Sequence, residues 1–102
     1  MFSFKVHDNS GTQILAIADA EIIGKSLAHN DLEIEVKESF YGSETADEKK
    51  ILELVKTFSK SESSINIIGN RIIELLIKHG LITHDSVINL SGTKHCQIYV
   101  ME

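Results

Sequence analysis

The sequence contains no proline and no tryptophan, and only one cysteine and one arginine. Without proline no turn is set by ring closure, so glycine, Asn, Asp and Ser must punctuate the chain. The lone Cys96 excludes an internal disulfide, and the N-terminus shows no basic stretch followed by a long apolar run. The expectation is therefore a cytoplasmic protein in a reducing compartment. Arg71 is the one side chain suited to bidentate phosphate recognition, and 15 acidic residues against 10 basic ones leave a net charge of -5. Broad nucleic-acid binding is disfavoured on both counts. No apolar run approaches the roughly 20 residues that a membrane-spanning helix requires. The most apolar stretch is broken by Glu74, Lys78 and His79, so no membrane partner is expected.

What is present suits one folded unit. The 102 residues are 42% hydrophobic and 25% charged, which is enough for one core and too little chain for two. The expectation is a single domain over residues 1–102. Phe2, Phe4 and Val6 alternate with Ser3, Lys5 and His7. A turn cluster from Asp8 to Gly11 then leads to the apolar run Ile14–Ala18, which together predict a hairpin. Asp19 is placed to cap a short helix over Ala20–Ile23 that Gly24 stops, and Leu32, Ile34 and Val36 alternate with acids and lysine as a third strand. Thr45 and Glu48 form a capping box before Ile51, Leu52, Leu54, Val55 and Phe58, predicting a helix over about 47–59. Ile65–Ile68 reads as an internal strand. Gly69 and Asn70 open a second helix that ends at Gly80 with Leu81 packing back. Val87–Leu90 and His95–Val100 complete about six strands, the first of these reached by a crossover. The fold class is α+β, a mixed β-sheet with two main helices packed on one face.

Several of these segments resemble a known family. Met1 to His7, the segment Phe40-Tyr41-Gly42-Ser43-Glu44, the strand and glycine Asn66-Ile67-Ile68-Gly69 leading into Arg71–Gly80, and Gly92-x-x-His95-x-Gln97 are similar, in order and spacing, to the archaeal domain of unknown function 424 family. The resemblance spans the whole chain and implies no activity. Lys94 and Cys96 stand where the family pattern has a proline and a small residue.

Three places could carry function. The first is Phe40, Tyr41, Gly42 and Glu44, where two aromatics sit beside a tight turn; the competing expectation is that both rings close one end of the core, and exposure of Tyr41 decides. The second is Gly69, Asn70 and Arg71, where free amides at a helix start could hold an anion, unless Arg71 merely pairs with Glu74. The third is the last strand, where His95 and Gln97 share a face and His95 is the candidate acid or base, while Cys96 points the other way as core filler. The five histidines lack zinc spacing, so no metal or cofactor is assigned. Asp31, Glu33 and Glu35 read as a solvated strand face. The second helix is apolar around most of its girth, so either it is wedged into the core or an exposed Ile77 marks a partner patch.

The leading reading is a binding or adaptor module that docks to a larger cytoplasmic protein or ribonucleoprotein assembly in translation or RNA handling, through the Phe40–Glu44 loop and the Gly69 helix start. The rival is a small enzyme or metabolite-binding domain that uses His95 and an anion held at Gly69. A homodimer built on the sheet edge is the third.

Overall fold

The computed structural model describes residues 1–42, 44–60 and 62–100. The first strands, β1 (Phe2–Asn9) and β2 (Thr12–Asp19), form the expected hairpin, with Phe2 opposite Asp19 and Asn9 opposite Thr12. A 3-10 turn over Ala20–Ile22 follows, then β3 (Ser26–His29), β4 (Leu32–Glu35) and a one-turn helix α1 (Glu38–Tyr41). The remaining elements are β5 (Glu44–Ala46), α2 (Glu48–Phe58), β6 (Ser63–Ile68), α3 (Asn70–Lys78), β7 (Val87–Leu90) and β8 (Thr93–Val100). The main sheet has six strands in the order β5-β1-β2-β6-β8-β7. It is mixed, because β2 and β6 run parallel and the other pairs antiparallel. Both β6 and β7 oppose β8, which lies between them, so α3 makes the crossover that the sequence predicts.

The strand alternation divides the core. Leu15, Ile17, Ile65, Ile67 and Cys96 point to one face and pack with Ile51, Val55 and Phe58 of α2 and with Ile72, Ile73, Leu75 and Leu76 of α3. Burying a side chain of this size contributes about 1.5–3 kcal/mol, so this cluster dominates the fold. Ala16, Ala18 and Ile68 point to the other face, where Val36 and Tyr41 cover them with help from Ile22, Leu27 and Phe40. Two main helices thus share one face, and a short helix and a hairpin cover the other. Ile77 is half-buried against the helix-side cluster, as a wedged helix requires.

Four local expectations are corrected. The strand around Leu32–Glu35 does not join the main sheet; it pairs with β3 in a separate two-stranded sheet. The sixth place is taken by Glu44–Ala46, which pairs with Phe2–Phe4. Consequently Thr45 is extended, and Asp47 caps α2 by accepting the Lys50 amide at 3.0 Å. Asp19 does not cap the 3-10 turn that follows it. The C-terminal end of α3 follows the sequence: Gly80 sits at φ +70, its amide bonds to Ile77 and the Leu81 amide to Leu76, a Schellman closure.

Candidate functional site

On the sheet face away from the main helices, Asn66 draws two of the sequence candidates together. The Tyr41 hydroxyl donates to Asn66 Oδ1 at 2.7 Å, and His95 Nε2 lies 3.2 Å from the same oxygen. Adjacent strands produce this meeting, since Asn66 stands opposite Gln97 and Ile68 opposite His95 in the β6–β8 register. From α1, Phe40 stacks on His7, with ring centroids 4.9 Å apart, and meets Tyr41 edge-on. The His7 ring also bonds the Phe40 carbonyl through Nε2 at 2.8 Å. Burial pushes the Tyr41 phenol up to about 12 and lowers the His95 imidazole from its ordinary value. The phenol therefore stays protonated as a donor and His95 is neutral near pH 7. Tyr41 is 8% exposed, which decides for the core-closing expectation: the two rings hold α1 on the sheet. Gln97 remains exposed beside them.

The start of α3 is already occupied. The Asp19 carboxylate accepts the amides of Arg71 at 3.0 Å and Ile72 at 2.9 Å, and the Gly69 amide bonds to the Lys94 carbonyl. The anion at this helix end is the chain's own side chain, reached from 50 residues away in sequence by the β2–β6 pairing. Gly69 is needed because a Cβ there would lie 2.5 Å from the Asp19 carboxyl carbon, at φ +129. Desolvation raises the Asp19 carboxyl above its ordinary range, outweighing the two amide bonds that pull it down. Arg71 pairs with Glu21, not with Glu74, and lies over the Phe2 ring at 4.8 Å. Asn70 bridges to the Gly92 carbonyl and the Lys94 amide, holding the β7–β8 turn. The expectation of an open anion site at Gly69, Asn70 and Arg71 is thus corrected, and the His95 enzyme scheme loses the subsite it needed.

The loop candidates build something different. A cleft of about 600 Å³ runs beside β1, lined by Phe4, Lys5, Val6, Glu38, Ser39, Gly42 and Glu44. Lys5 Nζ donates to the Ser39 carbonyl at 3.1 Å. Gly42 is buried at φ +90 with its Cα against the Phe4 carbonyl, so a side chain there would overlap that oxygen. Glu38, Ser39 and Glu44 face solvent. Ser43, the remaining residue of the loop, lies outside the described residues.

The family model described as "Protein of unknown function (DUF424)" matches residues 7–101. The chain belongs to the DUF424 family. A solved structure described as an uncharacterized conserved protein from Methanopyrus kandleri resembles this DUF424 chain with a TM-score of 0.80 at 25% identity, covering 98% of this chain and 91% of the other. No curated protein matches it.

Among the described residues of this DUF424 member, no group of three or more His, Cys, Asp and Glu is gathered to hold a metal ion. Cys96 is fully buried on the helix side, opposite His95. Sequence reasoning gave Asn66 no role of its own and assigned Asp19 to the turn that follows it, not to the start of α3. A lone amide inside a β-branched internal strand was the signal for Asn66, because such a group must find partners when half-buried. No local signal marks Asp19, whose role depends on strand order.

Proposed function

We propose that this chain is a small binding module that docks to a protein or ribonucleoprotein assembly through the Phe40–Glu44 side of the sheet. The observation that carries the reading is the cleft formed where Glu38, Ser39, Gly42 and Glu44 stand against β1. Apolar Phe4 and Val6 and the exposed polar side chains that line it together suit recognition of a partner surface. The hydrogen bonds of Tyr41 and His7 anchor α1 to the sheet, so the wall is held in place before any partner arrives. A role in translation or RNA handling belongs to the same proposal. An acidic cleft favours the protein component of such an assembly over RNA.

The test is co-purification from the native cell with the wild-type chain and with the double variant Glu38→Arg and Glu44→Arg. Both positions are exposed, so the variant should melt like wild type. The expected result is a stable partner with the wild type that disappears with the variant. Recovery of no partner by the wild type, or equal recovery by the variant, overturns the reading.

A further inference from the structure

The cleft lies along an unfinished sheet edge. Strand β1 runs from Phe2 to Asn9, but its pairing with β5 covers only Phe2 to Phe4 and stops at Phe4 opposite Glu44. Among the described residues no strand pairs with the outer edge of Lys5–Asn9. The Phe4 carbonyl points to this outer side, since Gly42 abuts it. Backbone groups alternate along a strand, so Val6 and Asp8 direct their N–H and C=O groups outward as well. An unpaired edge of this kind is a template for another strand.

We propose that this edge takes up an extended segment of a partner protein as an added strand beside β1, in line with β5, and that the segment alternates apolar and basic side chains. The proposal rests on the module reading and names the mode and chemistry of its contact. Side chains of the added strand alternate between the two faces. Those on the helix side meet Phe4 and Val6, the latter 39% exposed. Those on the opposite side meet Glu38, while Glu44 closes one end. The lining carries two carboxylates against one ammonium, and that ammonium, on Lys5, is already bonded to the Ser39 carbonyl. Asp8 at the far end of the edge is exposed and acidic. With the whole chain at -5, charge complementarity selects a basic segment. The opposite edge strand, β7, has exposed Ile88 but no charged residue to choose a partner, so β1 is the edge with chemistry.

The experiment is a titration of the isotope-labelled chain, followed by amide NMR, with an acetylated and amidated hexapeptide of alternating lysine and valine. Saturable shifts at Val6 and Asp8, with slowed hydrogen exchange at those amides, are expected. Replacing the peptide's lysines by glutamates, or introducing Glu38→Lys with Glu44→Lys, should weaken binding about tenfold. A second variant, Val6→Pro, removes one outward N–H where an edge tolerates proline; it should abolish the shifts while circular dichroism stays unchanged. Unmoved Val6 and Asp8 amides, shifts centred elsewhere, or equal binding of the acidic peptide overturn strand addition. Such a failure leaves the module reading standing if the native partner is still captured and is lost with Glu38→Arg and Glu44→Arg.

Discussion

The Asp19 carboxylate and the Ile72 amide, 2.9 Å apart, tie the end of β2 to the start of α3. The same carboxylate holds the Arg71 amide, so one side chain satisfies two of the donors that a helix start leaves open. Asp19→Ala should lower stability by about 2 kcal/mol, measured by urea unfolding at neutral pH. Asp19→Asn keeps one acceptor and should lose less. An unchanged midpoint in Asp19→Ala would show that water replaces the carboxylate at no cost.

Titration around this tether carries opposite signs at neighbouring acids. The Asp19 carboxyl is raised by desolvation above its ordinary 3.8, so the folded chain holds that proton more tightly and its contribution to stability falls as pH rises above 3.8. Glu21 is lowered to about 2 by its hydrogen bonds with Arg71. Its contribution is present above 4.5 and is lost as pH falls towards 2. Solvent screens this exposed pair, so the Glu21 effect is small. Stability measured from pH 2 to 6 should have a shallower acid limb in Glu21→Gln and a steeper one in Asp19→Asn.

Gly69→Ala should be strongly destabilising for the addition of one methyl. The new carbon would sit 2.5 Å from the Asp19 carboxyl, in a backbone conformation that alanine avoids. A loss of about 3 kcal/mol is expected, read from thermal or urea unfolding. Gly80→Ala, with φ +70 and open space around it, should cost less. If the two variants unfold alike, crowding by Asp19 contributes nothing.

Tyr41→Phe removes the donor to Asn66 and should cost about 1 kcal/mol. The wild-type phenol, pushed up to about 12, makes stability fall as pH rises from 10, because only the unfolded chain ionises there. That slope should shrink in the variant. Ultraviolet titration of the phenol checks the same assignment, since the step near 12 must vanish.

His95 titrates below its ordinary 6.5 because of burial. Stability should therefore fall as pH drops below 6.5, where the unfolded chain gains a proton first. His95→Gln should flatten that limb. A limb of equal slope in the variant would assign it to another group.

Much of the fold was legible because periodicity and punctuation agree in the long elements. Alternation located β1 and β2, and the apolar stripes with Gly80 bounded α3 to within two residues. The misses share a physical cause, which is that tertiary pairing decides short segments. Nothing local separates Glu44–Ala46 from a loop; the edge of β1 makes it a strand. Equally, Leu32–Glu35 has strand alternation whether it joins the large sheet or pairs with Ser26–His29. At the candidate site, residue chemistry picked out Tyr41, His95 and Gly69. The residues that explain them, Asn66 and Asp19, became visible only when strands far apart in sequence were laid side by side.

Among the described residues the β3–β4 ribbon shares no ladder with the six-stranded sheet, and Val36, Leu27 and their neighbours pack it over Ala16, Ala18 and Ile68. Opening of this ribbon should therefore cost less than global unfolding, which native-state hydrogen exchange would read as faster exchange there than in the helix-side core. A protease working under native conditions would find its first foothold in this ribbon, and the nicked chain would keep its principal core.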